Sequence, residues 1–273
     1  MRLSQLASRL RRQARRVLQE FGLRPPVSHC KHTIRLVQCN DLLLLLDPIQ
    51  VIDHPHSQVV ERSIIETGDW EAEQQNFLLA TARTLTSKLA CEAIFIDIGA
   101  YFGLYALRMA RSGLFQRIIA IEGDRCNYSQ LRANVFINAL DRKIDCLEIA
   151  ASDSVWDMYF RHSEAHPEGN RGGIGHTEHD LHLAEKKKTI PIDDVVSANR
   201  SLIVAKIDVE GHEIRVIRGM RRLIENNSVL FQVECFESAL HSHEQFLTSL
   251  GLRRINRISV DSYWTNIPDL YGH

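Results

Sequence analysis

The stretch Phe95–Gly103, FIDIGAYFG, decides the fold of this chain. Its apolar run is interrupted by Asp97, and glycines follow at positions 99 and 103. This order is typical of a short buried strand that ends in a tight turn before a helix. Glycine lets such a turn adopt positive φ, and it lets a ligand approach the backbone without meeting a Cβ. The stretch therefore predicts a strand–turn–helix unit with a ligand near the turn.

The pattern continues on the C-terminal side of this unit. From Ala93 to Asp153 the periodicity is β-α-β-α-β, with 143–153 as the third strand, which predicts a parallel sheet with helices on both faces. Further strand patterns occur at 202–208 and from 228 to Glu234 or Glu237, and a last pair of short strands follows near 253. The predicted fold class is therefore α/β, with a doubly wound and mostly parallel sheet.

Acidic residues follow three of these strands. Asp97, Glu122 and Asp208 come at the carboxyl ends of the first, second and fourth strands, where open parallel sheets bind their ligands. Glu122 follows the glycine turn at about the spacing at which an acid binds ribose hydroxyls in dinucleotide folds. The N–H groups at the start of the next helix favour an anionic group.

Two cofactors are candidates for a site with this sequence pattern. A nicotinamide dinucleotide prefers G-x-G-x-x-G, whereas this chain has GAYFG, and Asp97 would repel a pyrophosphate. S-adenosylmethionine carries an ammonium, a carboxylate, a ribose and an adenine. Groups that match these four follow in chain order: Asp97, the turn amides of Gly99, Ala100 and Gly103, then Glu122, and then Ser152 and Asp153. The pattern favours S-adenosylmethionine and leaves the nicotinamide cofactor as an alternative.

Four segments resemble the FkbM-type S-adenosylmethionine-dependent methyltransferases. They are FIDIGAYFGLYALRMA, IAIEGDRCNYSQLRANV, IPIDDVV and IVAKIDVEGHEIRVIRGM, and the resemblance covers about Gly68–Phe236. It implies the Rossmann-like, seven-stranded class I methyltransferase sheet with an antiparallel last strand. It also implies methyl transfer to a hydroxyl of a sugar or polyketide. By position, Asp97, Gly99 and Gly103 would hold the methionine part, Glu122 the ribose and Asp153 the adenine.

A hydroxyl is a poor nucleophile, so we expect a base near the reacting atoms. Asp208 ends the strand next to the first one, and we predict it at the reaction centre with Glu210 or His212 assisting. The alternative is that Glu210 and Glu213 stabilise the start of the following helix, and that His212 is a surface residue.

Residues 1–67 differ from the rest and are predicted to be an N-terminal extension, with the methyltransferase domain at 68–273. The extension would contain an Arg-rich amphipathic helix at 1–26 and a hairpin that turns at Asn40-Asp41. We interpret the helix as packed on the domain with a solvated basic face. Contact with a membrane surface or a partner, and a transit peptide, are the alternatives.

Residues 154–188 do not continue the alternation of strands and helices, and they are predicted to be a long polar loop or insertion. The cluster HTEHDLH lies there, and it offers His176, His179, Asp180 and His182 as possible ligands. A polar loop lacks the framework that fixes ligand geometry, so we predict no metal site. We expect this loop to be solvated or to contact the acceptor.

The composition of the chain argues against several classes of partner and site. A net charge of −1 argues against a nucleic-acid partner, and six scattered cysteines without C-x-x-C indicate neither a zinc site nor a disulfide framework. We therefore expect a cytoplasmic enzyme, with peripheral membrane contact through the basic helix as an option, and a small-molecule or glycan acceptor. The predicted function is O-methylation of a sugar or other natural product. A nicotinamide-dependent oxidoreductase and a non-catalytic binding module are the alternatives.

Overall fold

The computed structural model describes residues 34–46, 59–161, 176–177 and 184–268. The predicted helix at 1–26 lies outside the described residues, as do His179, Asp180 and His182 of the histidine cluster. In the described part of the chain, no helix is both long and apolar enough to cross a membrane.

Thirteen strands and eight α-helices are formed by the described residues. The strands are β1 (Arg35–Cys39), β2 (Leu42–Leu46), β3 (Ala93–Ile98), β4 (Arg117–Ile121), β5 (Ile144–Leu147), β6 (Ala150–Ser152), β7 (Asp157–Arg161), β8 (His176–Thr177), β9 (Ala184–Pro191), β10 (Leu202–Ile207), β11 (Ser228–Glu234), β12 (Arg253–Ile258) and β13 (Asp261–Thr265). The helices are α1 (Val59–Thr67), α2 (Ala72–Leu89), α3 (Leu104–Arg111), α4 (Arg125–Ile137), α5 (Ile192–Val195), α6 (Glu213–Arg218), α7 (Arg221–Asn226) and α8 (Leu240–Ser249).

Seven strands form the central sheet, in the order β12-β13-β11-β10-β3-β4-β5. The strands from β11 to β5 are parallel, and β13 runs antiparallel to both β11 and β12. The predicted doubly wound, mostly parallel seven-stranded sheet with an antiparallel last strand is confirmed. Because the parallel strands end at one edge of the sheet, the acidic residues that follow them are brought together there.

Both faces of this sheet are buried, which explains why its strands are continuously apolar. Phe95 packs into one core with Leu78 of α2 and Leu131 of α4. Ile96, the next residue, packs into a second core with Val216 of α6. Successive side chains of a strand point to opposite faces, so one strand contributes to both cores.

The predicted hairpin is confirmed as β1 and β2, with Asn40 in the turn at φ 53°. Two asparagines of α4 hold its edge. Asn134 Oδ1 accepts from the Leu45 amide at 2.6 Å, and Asn138 Oδ1 accepts from the Leu43 amide at 3.0 Å. Leu42, Leu44 and Leu46 of β2 join the same core as Phe95. Residues 34–46 therefore pack on the sheet, while the boundary predicted at residue 67 stays a prediction.

Two expectations about the middle of the chain are wrong. The single strand expected at 143–153 is two strands, because β5 belongs to the central sheet and β6 to a smaller one. The loop expected at 154–188 contains β7, β8 and β9, which form that smaller sheet with β6. The polar sequence of β9 forms a strand because Lys186 and Lys188 both lie 2.7 Å from the Asp157 carboxylate of β7. Such cross-strand pairs stabilise a polar sheet face.

Candidate active site

A cavity of about 340 Å³ lies at the carboxyl ends of β3, β4, β10 and β11. Seven of the ten predicted site residues line it: Asp97, Gly99, Ala100, Glu122, Asp208, Glu210 and His212. The other three, Gly103, Ser152 and Asp153, are not among its lining residues. The fold therefore brings the predicted carboxylates into one site, although their roles stay predictions.

Asp97 lies on the floor of the cavity and is only 1% exposed. Its Oδ2 accepts a hydrogen bond from the Ala106 amide of α3 at 3.0 Å, while its Oδ1 is buried without a hydrogen-bond partner. Burial raises the pKa of Asp97 to about 6, although the nearby Lys206 lowers it. A buried carboxylate oxygen of this kind is suited to a cationic hydrogen-bond donor such as an ammonium group.

The glycine turn packs tightly against neighbouring parts of the protein. Gly99 has φ +81°, and a Cβ there would lie 1.7 Å from the carbonyl oxygen of Asp208. At Gly103, with φ +93°, a Cβ would lie 2.5 Å from Leu131 Cδ1. The turn amides expected to face a carboxylate are also engaged, because those of Gly99 and Ala100 donate to the Ile121 carbonyl at 3.0 and 2.9 Å.

Glu122 joins the turns that follow β3 and β4. Its Oε2 accepts from the Tyr101 amide at 2.8 Å, and its Oε1 accepts from the Asp124 amide at 2.7 Å. Burial raises the pKa of Glu122 to about 8, even though both amide hydrogen bonds lower it. Each carboxylate oxygen can accept a second hydrogen bond. Glu122 can therefore shape the cavity wall and still accept hydrogen bonds from a diol.

A buried lysine separates the Asp97 region from the carboxylates that follow β10 and β11. Lys206 pairs in register with Asp97 on β3, and its Nζ lies 2.6 Å from Asp208 Oδ2. Burial would lower the pKa of Lys206, but Asp208 and the other carboxylates around it raise that pKa well above its usual value. Lys206 is therefore a charged residue that compensates Asp208.

Three carboxyl groups meet beside this lysine. Oxygen atoms of Asp208, Glu210 and Glu234 all lie within 4.8 Å of one another. Burial, with the negative charge of Asp208, raises the pKa of Glu210 to about 7 and that of Glu234 to about 9. Glu210 adopts φ 54°, a left-handed conformation in the turn before α6. This end of the cavity can accept hydrogen bonds from several hydroxyl groups at once.

His212 is 7% exposed and is not the surface residue of the alternative interpretation. Its Nε2 lies 3.0 Å from Ser152 Oγ, which also accepts a hydrogen bond from Trp156 Nε1 at 3.1 Å. Asp153 lies beside Arg215, with 3.8 Å between Asp153 Oδ1 and Arg215 Nη1. The structure thus joins Ser152 to His212 and places the Asp153 carboxylate against α6.

Glu213 holds the turn that carries Asp208 and Glu210. It is buried, and its Oε1 accepts from the amides of Val209 at 3.2 Å and Gly211 at 2.9 Å. Its Oε2 lies 3.7 Å from Nε2 of His243 on α8, and this nearby carboxylate raises the pKa of His243. Glu213 therefore has a structural role, as expected, but the amides that it binds belong to the turn before α6.

The sequence analysis missed several residues of the cavity. Lys206 had a visible signal, since it is the single charge in the apolar strand LIVAKI. Phe160 had none, because it lies in the segment expected to be a loop; its ring occupies the space where a Cβ on Gly123 would lie, 2.5 Å away. Other lining residues that were missed include Val60, Glu71, Tyr105, Asp124, Asn127, Met158 and Phe236. Three aromatic residues, Trp70, Tyr101 and Phe102, also line the cavity and belong to or pack against the core that contains Phe95.

Comparison with solved structures gives similar proteins of low identity. A methyltransferase FkbM from Methylobacillus flagellatus KT is 21% identical with a TM-score of 0.42, covering 64% of this chain and 43% of that one. The N-terminal domain of human METTL16 in complex with SAH is 13% identical with a TM-score of 0.42, covering 70% and 66%. Monomeric WbdD is 13% identical with a TM-score of 0.47, covering 76% and 44%. This chain thus spans less than half of the first and third of these proteins.

No curated protein matches the sequence. The methyltransferase FkbM domain, in contrast, matches residues 97–254, which is more than half of the chain and contains the acidic strand ends described above. The chain therefore belongs to the FkbM methyltransferase family.

Proposed function

We propose that the protein transfers a methyl group from S-adenosylmethionine to a hydroxyl group of a sugar or another natural product. The observation that carries this proposal is the unpartnered, buried Oδ1 of Asp97 in a cavity that also contains Glu122. One oxygen suits the ammonium of the donor, and the Glu122 carboxylate suits its ribose hydroxyls. When bound, S-adenosylmethionine supplies an electrophilic methyl group on a sulfonium.

The protein residues then have four tasks. Asp97 and Glu122 orient the donor, and alignment of reacting atoms can contribute roughly 7–11 kcal/mol to a rate. Asp208 accepts the proton of the acceptor hydroxyl as the new C–O bond forms. Lys206 keeps the Asp208 carboxylate in place through their 2.6 Å ion pair. His212, which is hydrogen-bonded to Ser152, supports the wall of the cavity.

A sugar acceptor is supported by the aromatic and acidic residues that line the cavity. Trp70 and Phe236 both line it, and Phe236 is 56% exposed. Glu71, Glu210 and Glu234 line the same cavity. Aromatic rings pack on the apolar face of a sugar, while carboxylates accept hydrogen bonds from its hydroxyls.

Two measurements test this proposal. Calorimetric titrations with S-adenosylhomocysteine and with NADH should give 1:1 binding of the first and no binding of the second; the reverse would favour the oxidoreductase. Incubation with methyl-labelled S-adenosylmethionine and a cell extract should place label in the small-molecule or glycan fraction. Label in protein or nucleic acid would contradict the acceptor class, and donor binding without any transfer would favour a binding module.

A further inference from the structure

The carboxyl groups of Asp208 and Glu234 form a close pair at neighbouring strand ends. The last register pair of β10 and β11 is Ile207 with Val233, and the two acids come directly after it. Oxygen atoms of the two carboxyl groups lie within 4.8 Å of each other. Two negative charges this close repel each other, which favours a proton on one of the two groups.

Lys206 makes the two carboxyl groups inequivalent, because it forms an ion pair with Asp208. Its Nζ lies 2.6 Å from Asp208 Oδ2, and its charge also lies 4.9 Å from the centre of the Tyr105 ring. An ammonium at that distance stabilises the charged form of Asp208. Glu234 has no salt bridge among the described residues. The surroundings therefore favour the protonated acid at Glu234.

The other charges around Glu234 support this assignment. Asp208 and Glu210 are negative and favour a protonated Glu234, while Lys206 opposes it. On β13, Asp261 is the register partner of Glu234, but its Oδ1 accepts from Gln232 Nε2 at 2.9 Å. Burial and the two acids outweigh the lysine, and the pKa of Glu234 is raised to about 9.

We propose that Glu234 is a positioning residue whose carboxylic O–H donates to Asp208 and holds the Asp208 carboxylate against the acceptor hydroxyl. This inference rests on the proposed function. In the reaction the acceptor O–H bond breaks and its proton moves to Asp208. The oxygen bonds the methyl carbon, and the electrons of the breaking methyl–sulfur bond stay on sulfur. Glu234 keeps its own proton throughout.

The protonation of the pair is tested without any acceptor. Protein labelled with carbon-13 at glutamate side-chain carboxyls is titrated by NMR in EDTA, and the Glu234 resonance is assigned as the one absent from Glu234→Gln. We expect Glu234 to be more than half protonated at pH 7, and its midpoint to fall by at least about one pH unit in Asp208→Asn, since a negative charge is removed. Ionisation of Glu234 at pH 7, or an unchanged midpoint in Asp208→Asn, would overturn the inference. Glu225→Gln, on the exposed side of α7, is the control.

The effect on the reaction is tested by the rate of label transfer into the cell extract. An amide can donate the same hydrogen bond, so Glu234→Gln should keep at least about a third of the wild-type rate at pH 7, whereas Glu234→Ala should lose at least about tenfold. Above pH 9 the wild-type rate should fall as Glu234 ionises, and the Glu234→Gln rate should not. Equal losses in both variants, or none in Glu234→Ala, would overturn the inference. If wild-type protein transfers no label, the proposed function fails, and the NMR titration still decides the protonation of Glu234.

Discussion

Asp97 and Lys206 occupy paired positions on neighbouring parallel strands, so a buried lysine lies beside the carboxylate expected to bind the methyl donor. Lys206 is bonded to Asp208 rather than to Asp97, whose Oδ1 has no hydrogen-bond partner. The lysine thus compensates the carboxylate expected at the acceptor and leaves an oxygen of Asp97 for the donor. This division of charge within one cavity leads to the following predictions.

Donor binding should depend on the ionisation of Asp97. Its pKa is raised to about 6 by burial, so the affinity for S-adenosylmethionine should fall as the pH drops from 7 to 5. In Asp97→Asn the affinity should be at least about tenfold lower at pH 7, because one charge-assisted hydrogen bond of about 1.5–3 kcal/mol is lost. Calorimetry across this pH range measures both effects. Asp145→Asn, at an exposed position on β5, should behave like wild type, and tight binding by Asp97→Asn would contradict the role of Asp97.

The same substitution should stabilise the folded protein. A carboxyl with a pKa raised above its unfolded value binds more protons when folded, so stability falls as the pH rises from about 4 to about 6. Asp97→Asn removes this cost and should raise the free energy of unfolding at pH 7.5 by about 1–3 kcal/mol. Urea unfolding at pH 7.5 and pH 4 measures this gain in stability, which should largely disappear at the lower pH. An equal change at both pH values would mean that ionisation is not its cause.

At pH 4, where a folded pKa of about 8 leaves Glu122 protonated and without an ionisation cost, Glu122→Gln should destabilise the protein. Both Glu122 oxygens accept backbone amides, and a glutamine side chain replaces one acceptor by a donor. An unsatisfied buried amide costs about 1–3 kcal/mol, which urea unfolding can measure. Glu225→Gln, at an exposed position, should stay within about 0.5 kcal/mol of wild type. A Glu122→Gln variant as stable as wild type would show that these hydrogen bonds do not hold the two turns together.

Lys206→Met should destabilise the protein by roughly 3 kcal/mol or more, because it leaves buried carboxylates without their cation. The double variant Lys206→Met/Asp208→Asn should recover part of that loss. Recovery is incomplete because Lys206 also compensates Glu71, Asp97 and Asp261. A double-mutant cycle from urea unfolding measures the coupling, and strictly additive effects would contradict the ion pair.

Gly99→Ala should be far more damaging than Gly113→Ala. Both glycines have positive φ, +81° and +67°, so alanine costs roughly 1–2 kcal/mol in backbone strain at each. Only at Gly99 would the Cβ also meet the Asp208 carbonyl oxygen, which adds about 1–3 kcal/mol or more. The difference between the two losses in unfolding free energy measures the steric clash at Gly99. Equal losses would mean that the turn does not pack tightly on Asp208.

The sequence predicts most of this fold because its elements are strongly periodic. The unit from β3 to α4 has apolar strands, glycine turns and amphipathic helices, and each signal is local. The β7–β9 pair was missed because β9 is polar and the two strands pair across a long segment, with contacts such as Asp157 with Lys186. Long-range charge pairs of this kind leave no periodic pattern in the sequence.

Part of the site was predicted because some of its residues also follow local sequence patterns. Asp97, Glu122 and Asp208 mark strand ends, and strand ends are visible in sequence. The lysine that compensates Asp208 is recognised only when β3 and β10 are known to be neighbours. The space around Gly99 likewise depends on the Asp208 backbone, which is more than a hundred residues away in the chain.

A crystal structure of the protein with S-adenosylhomocysteine tests the central claim most directly. We predict the amino group of that compound within hydrogen-bonding distance of Asp97 Oδ1, and its ribose hydroxyls on the Glu122 carboxylate. A complex in which the compound lies outside the cavity at the ends of β3 and β4, or leaves Asp97 Oδ1 untouched, would contradict the account.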